Sequence, residues 1–225
     1  MSSQTYIFEN LNRKYTPHRL QYRLAFELLE KIRGNTALDL GCGLGEFSEI
    51  LKNVGYKVFC VDGKKKFVEK VRERGFTTYL LNLEEENLPF EENTFDLVVS
   101  LDVIEHIWNT NHFLEQILRV LNPQGYIIIS TPNYDHYRFR MTHLLGKFDQ
   151  FTYKSRHKKF YNTRSFRDEI KNKFEIIDHI GELDGLLSKP LRLLKKNIHN
   201  KKIMNFFSIQ SCILARNKGN TDQKT

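Results

Sequence analysis

An apolar run that turns through three alternating glycines into a helical pattern constrains this chain more than any other feature. The stretch is LDLGCGLGEF, residues 38–47, with glycine at 41, 43 and 45. Glycine takes positive φ without steric penalty and lets a backbone approach another group closely. At a strand-to-helix turn, the first amides of the helix face whatever binds there and favour polar or anionic ligands. Such spacing also occurs in turns that hold no ligand, so its neighbours have to decide the reading.

The surrounding rhythm is that of an α/β protein. Helical spacing runs through residues 17–33, with Leu20, Leu24, Ala25, Leu28 and Ile32 on one side and Gly34 as a stop. Short β-rich runs follow at TALDL, KVFCVD, TTYLL, FDLVVSL and GYIIIST, separated by the helical patterns EFSEILKNV, KFVEKVRERG and HFLEQILRVL. Strands alternating with helices imply βαβ units on a parallel sheet. After Pro132 the rhythm breaks into an aromatic and basic stretch, 134–160. Helix TRSFRDEIKNK then opens with Thr163 as the expected N-cap, and the strands FEIIDHI and FFSIQSCILARN follow.

Length and charge set further bounds. With 225 residues, one sizeable domain is expected over 1–217, followed by a polar disordered tail, 218–225. Met1–Lys14 lacks the apolar core of a signal peptide, and no apolar stretch is long enough to cross a bilayer. Cys42, Cys60 and Cys212, an odd number without a CxxC pair, suit a reduced cytoplasmic protein and not a zinc site. The net charge is +8, with a local acidic cluster (Glu84, Glu85, Glu86, Glu91, Glu92) and a basic excess from Arg138 onward. That balance suits an anionic partner as well as a merely basic enzyme.

Two acidic residues give the glycine turn its context. Asp62 ends the next strand, where a carboxylate accepts hydrogen bonds from ribose hydroxyls. Asp39 lies inside an apolar strand, where an unpaired carboxylate is costly, and it is expected to hold the turn or the ligand. A dinucleotide calls for G-x-G-x-x-G, and this spacing is one residue short. An adenosyl ligand without pyrophosphate fits better.

On these blocks, roughly residues 36–180 resemble the class I S-adenosylmethionine (SAM)-dependent methyltransferases. LDLGCGLGEF is similar to the family's first motif and VFCVDG to its second. LNLEEENLPFEENTFDLVVSLDVIEHI and LRVLNPQGYIIISTPN resemble the blocks after it. The resemblance implies a Rossmann-like, seven-stranded, mostly parallel sheet with helices on both faces, an N-terminal helix and a lid insertion at about 134–160. It implies SAM as cofactor, with Asp39, Gly41, Cys42, Gly43, Gly45, Asp62, Gly63, Asn82, Leu83 and Ser100 as candidate cofactor-binding residues. Asn82 and Leu83 would flank the adenine, and many relatives carry aspartate where this chain has Asn82.

The acceptor side begins at SLDVIEHI, after the fourth strand. A helical turn there would bring Asp102, Glu105 and His106 to one face. His106 is the candidate general base, because imidazole titrates near working pH. His157, in SRHKKFYNTRSF, is expected to join them. The "EH" turn with a later histidine block resembles ubiquinone-type and glycan-cluster O-methyltransferases. It is also similar to small-RNA 3′-terminal 2′-O-methyltransferases, where such residues hold a divalent metal. STPNYDHYRFRMTHLLGKF is similar to the MetW family linked to methionine biosynthesis, whose members act as partners.

Three acceptor classes follow from these resemblances. The first is a small molecule methylated on oxygen, either a glycan or lipid-linked precursor or a quinone. The second is a protein partner, and the third an RNA 3′ end with a metal. Tyr134, His136, Tyr137, Arg138, Arg140, Tyr153, Arg156 and Lys158 form an aromatic and basic set suited to a sugar, a phosphate or single-stranded RNA. The basic stripe at 186–206 suits a peripheral contact with a lipid head-group layer.

Overall fold

The computed structural model describes residues 20–146, 157–183 and 206–219. Residues 220–225 of the tail expected over 218–225, and residues 186–205 of the basic stripe expected over 186–206, lie outside the described residues. So do Tyr153 and Arg156.

Helix α1 (Leu20–Leu29) leads into strand β1 (Thr36–Leu40), helix α2 (Glu46–Asn53), β2 (Lys57–Asp62), α3 (Lys65–Glu73) and β3 (Thr77–Leu80). Strand β4 (Phe95–Leu101), a short 3-10 turn (Ile104–His106), helix α4 (Thr110–Val120) and β5 (Leu121–Pro132) follow. Helix α5 (Tyr137–Leu144), helix α6 (Thr163–Lys171), β6 (Phe174–Leu183) and β7 (Ser208–Asn217) complete the described elements. The seven strands form one sheet in the order β3-β2-β1-β4-β5-β7-β6. β1 to β5 run parallel, while β7 is antiparallel to both β5 and β6. This is the mostly parallel sheet expected from the alternating pattern.

The strand residues alternate between two cores, one on each face. Leu38, Leu40, Val98, Ile127, Ile129 and Ile213 pack with Phe113, Leu114 and Ile117 of α4 and with Phe166 and Ile170 of α6. Ala37, Leu97, Val99, Ile128 and Leu214 face α1, α2 and Val71 of α3 on the other side. Each fully buried Leu, Ile or Phe contributes about 1.5–3 kcal/mol by leaving water. A parallel sheet covered on both faces requires such continuous apolar runs.

Several boundaries differ from the sequence reading. β5 begins at Leu121, directly after α4, and crosses the NPQG stretch with Gln124 at φ +69° before the expected start at Gly125. The cap of α6 is Asn162, not Thr163. The Asn162 side chain accepts from the amides of Arg164 (3.0 Å) and Ser165 (2.8 Å), and the Ser165 hydroxyl accepts the Asn162 amide in return. Thr163 is the first helical residue. A side-chain oxygen one residue earlier reaches the free amides of the first turn, which Thr163 from inside the helix does not.

The strand order reverses direction of travel between β1 and β4, and ligands of open α/β sheets bind at the carboxyl ends of the strands beside that point. Gly41 follows β1 and Asp102 follows β4, which puts the two halves of the sequence reading at one crevice.

Candidate active site

The glycine turn is built by backbone geometry that side chains resist. Gly41 has φ +74°, and a Cβ there would meet Val103 Cγ2 at 2.3 Å. Its amide and that of Cys42 donate to the Val61 carbonyl, at 2.8 and 3.1 Å, which ties the turn to β2. Gly43 has φ +55° and open space where a Cβ would stand. Asp62 organises the turn from the end of β2: one carboxylate oxygen accepts the Gly43 amide (3.0 Å) and the other the Lys64 amide (2.8 Å).

Beside this turn lies a cavity of about 640 Å³. Gly41, Gly43, Asp62, Gly63, Asn82 and Leu83 line one part of it, and Asp102, Val103, His106, Ile107 and Lys158 another. Six of the ten expected cofactor residues and two of the four expected catalytic ones therefore meet at a single cavity. The open wall at Gly43, with the Asp62 carboxylate beside it, suits a nucleoside with ribose hydroxyls. Asn82 shapes its own turn, since its side chain accepts the Glu84 amide and its amide donates to Glu86.

Asp39, Cys42, Gly45 and Ser100 do not line the cavity. Buried Asp39 accepts a 2.5 Å hydrogen bond from Ser48 of α2, so it holds the helix that follows the turn. Burial pushes its carboxyl up to about 7; the Ser48 bond opposes this and nearby Asp62 adds to it. Cys42 is a buried free thiol whose pKa is raised by its hydrogen bond to Cys60 and by burial. Gly45 caps α2 at φ +73°. Ser100 is fully buried within β4, and its hydroxyl has no hydrogen-bond partner.

On the acceptor side, the expected helical face for Asp102, Glu105 and His106 is not formed. Asp102 sits at φ +56°, and only Ile104–His106 make a 3-10 turn. The reason is a clamp on Asp102 from two other strands: its carboxylate accepts from the Ser130 hydroxyl (2.8 Å) and from the Gln210 amide, and its backbone amide donates to the Ser130 carbonyl (3.2 Å). Asp102 and His106 then face the cavity while Glu105 turns into the core. Glu105 is fully buried, one carboxyl oxygen accepts from Thr131 (3.2 Å), and the other has no partner. Burial, reinforced by Asp102, holds its pKa well above the usual carboxylate range.

His157 comes from the return of the insertion and packs against His106, ring centres 4.7 Å apart and edge to face. Its Nδ1 is hydrogen-bonded to the Tyr134 hydroxyl. Burial first, and the neighbouring His106 second, lower its pKa to about 4, so the ring is neutral at physiological pH. Glu105, His106 and His157 each offer one donor atom within 4.8 Å of the others. That set of two imidazoles and a carboxylate is chemically able to hold a divalent cation, zinc or manganese better than magnesium.

The insertion is anchored at its base. The amides of Lys158 and Lys159 donate to the Glu105 carbonyl at 2.8 and 3.0 Å, and the Tyr134 amide donates to the Tyr161 carbonyl at 2.9 Å. Lys158 also pairs with Glu84, whose other oxygen accepts the Trp108 amide at 3.0 Å. Of the described residues in the expected aromatic and basic set, Lys158 alone lines the cavity. Arg140 is paired with Asp135, and buried His136 caps α5. Ser130 and Gln210 escaped the sequence reading, as did the pairing of Tyr134 with His157 and of Glu84 with Lys158, because the partners are 23 to 108 positions apart.

Residues 38–129 match the methyltransferase domain family. Over 116 residues the chain is 31% identical to a probable SAM-dependent methyltransferase of Mycolicibacterium smegmatis, covering 52% of this chain and 44% of that protein. A ubiquinone biosynthesis O-methyltransferase of Rickettsia prowazekii is 30% identical, covering 57% of this chain and 54% of that protein. The chain spans about half the length of these curated relatives. A SAM-dependent methyltransferase structure from Mesorhizobium loti shares the fold, with a TM-score of 0.65 at 18% identity over 88% of this chain and 98% of that one. SAM is the cofactor of such domains, and the open glycine wall beside Asp62 fits its nucleoside. No helix among the described residues is long and apolar enough to cross a membrane.

Proposed function

We propose that this protein transfers the methyl group of SAM to an oxygen of a small molecule, a glycan or lipid-linked precursor ahead of a quinone. One observation carries the reading: a single cavity is lined both by the ribose-type carboxylate Asp62 with the glycine turn and by His106 with clamped Asp102. The similarity to the Rickettsia protein, by its name an O-methyltransferase, supports oxygen as the accepting atom.

SAM supplies a methyl group already activated on a sulfonium, so the protein's task is alignment and proton removal. Asp62 accepts the ribose hydroxyls, and Gly43 leaves room for them. Asn82 and Leu83 border the adenine. His106 takes the acceptor's proton on a ring nitrogen facing the cavity. Asp102, fixed by Ser130 and Gln210, orients the acceptor beside it.

Calorimetry with SAM and with S-adenosylhomocysteine tests the cofactor half. Binding is expected, and Asp62→Ala should weaken it by about 1–3 kcal/mol through lost buried hydrogen bonds. No heat with either nucleoside would sink the reading. A transfer screen with labelled SAM against glycans, lipid-linked sugars, quinols and short RNAs tests the acceptor half. Mn²⁺-dependent labelling of an RNA 3′ end would replace the small-molecule reading.

A further inference from the structure

We infer that Glu84 is a positioning residue that links the two halves of the cavity: it holds Lys158 and the Trp108 amide, so that a nucleoside seated at Asn82 and Leu83 steadies the side that receives the acceptor. This rests on the proposed reading of the two halves. The acidic cluster of the sequence has no task in the proposed reaction, yet one member of it is built into the structure. Glu85 and Glu86 are exposed, whereas the Glu84 side chain is 19% exposed and has partners on two distant segments. One of its carboxylate oxygens accepts the Trp108 amide at 3.0 Å, and the other pairs with the Lys158 ammonium.

Each of the three segments joined in this way contributes to the cavity lining: Leu83 next to Glu84, Ile107 next to Trp108, and Lys158 itself. On the near side Glu84 is fixed through Asn82, whose side chain accepts the Glu84 amide at 3.2 Å. On the far side the Lys158 and Lys159 amides both donate to the Glu105 carbonyl, and the Lys159 ammonium donates to the Thr110 hydroxyl at 2.7 Å. Polar contacts therefore run without a gap from Asn82 through Glu84 and Lys158 to the backbone of Glu105, the neighbour of His106. The Trp108 ring is 62% exposed, so packing does little to hold the backbone that Glu84 holds by its amide.

A carboxylate that accepts from both a backbone N–H and an ammonium makes two charge-assisted bonds, each stronger than a neutral one. An ion pair as exposed as this one contributes little to global stability. Its effect is local, because it fixes where cavity-lining segments stand relative to one another. Ordering a segment costs conformational entropy, and a ligand that has ordered one end of a linked set lowers that cost at the other. The coupling is reciprocal, so a bound acceptor should tighten the nucleoside by the same factor.

Hydrogen exchange followed by NMR tests the link. Glu84→Gln keeps an oxygen for the Trp108 amide and removes the charge that holds Lys158, while Lys158→Met keeps the apolar stem. Without ligand, either change should speed exchange of the Lys158 and Lys159 amides roughly 1.5- to 5-fold, the range for a partly exposed ion pair, while the amides of β4 keep their rates. The double variant should be no faster than the single ones. Saturating S-adenosylhomocysteine should slow those two amides in the native protein, and the slowing should be lost in both variants. In turnover, Glu84→Gln should raise the acceptor KM by a similar factor with kcat retained, since His106 and Asp102 are untouched. Native exchange rates in the single variants, or additive effects in the double one, would overturn the pairing. Nucleoside binding whose protection still reaches Lys158 and Lys159 in the variants would overturn the inference alone. No nucleoside binding to the native protein would fail the proposed activity and the coupling together.

Discussion

The two sides of the cavity, proposed here to hold cofactor and acceptor and called the cofactor wall and the acceptor wall, are assembled on different principles. Gly41, Gly43, Asp62, Gly63, Asn82 and Leu83 stand at or just after the ends of three neighbouring strands, β1, β2 and β3, which are also close in the chain. Their geometry is largely backbone: positive φ at the glycines, and amides converging on the Asp62 carboxylate. The acceptor wall is a matter of side chains gathered from far apart. Asp102 depends on Ser130 of β5 and Gln210 of β7, and His157 is held by Tyr134. A backbone-built wall has little freedom to vary without losing the fold. A wall of distant side chains can be altered one residue at a time, which suits the part of the molecule that chooses the substrate.

That contrast is open to direct attack. The largest effect should come from the acceptor wall: His106→Gln should lower turnover by about 10²–10⁴-fold, the contribution of a positioned general base, with SAM affinity nearly intact. Full turnover at neutral pH would leave that histidine a packing role only.

Next in size is the pH response under the cofactor wall. Asp39 titrates at about 7 in the folded protein against an ordinary 3.8. Between those values the folded state holds a proton that the unfolded chain has released. Stability therefore falls as pH rises through this window, by up to ~4 kcal/mol, and levels off above it. His157, lowered to about 4, works the other way, losing stability as pH drops below its ordinary 6.5. Asp39→Asn keeps an acceptor for Ser48 and should remove Asp39's share of the decline, leaving that of Glu105, whose raised pKa acts in the same direction; denaturant titrations at pH 5 and pH 8 would reveal the change. An unchanged difference between the two pH values would show that Asp39 is ionised throughout.

A smaller loss, ~2–3 kcal/mol, is expected for Gly41→Ala, because strained backbone conformations and overpacking each cost on that order. Thermal melts should show it, together with weakened SAM binding. If the variant lost turnover alone, the backbone account of this wall would fail.

The difference between the walls also explains what could be read from the chain. The alternating strands and helices, the glycine turn and Asp62 were legible because periodicity and φ preferences are local properties. The helical face expected for Asp102, Glu105 and His106 was not, because spacing says nothing of a clamp from Ser130 and Gln210. Asp39 was recognised as an anomaly in an apolar strand, and its partner Ser48 lies only nine positions on. Thr163 was preferred to Asn162 as a cap although both are good capping residues. The choice depends on where the chain bends, and that is set by packing of Phe166 and Ile170 against β6 and the sheet.

The antiparallel strand β7 has a consequence for how the protein comes to be made. It slots between β5 and β6, and it carries Gln210 to Asp102. As the polypeptide leaves the ribosome, the strands of the cofactor wall emerge early and can pair with one another. Asp102 must wait for a strand synthesised more than a hundred residues later. A nascent chain will therefore be able to form its glycine turn before the other side of the cavity is set, and the clamp on Asp102 will be among the last contacts to form.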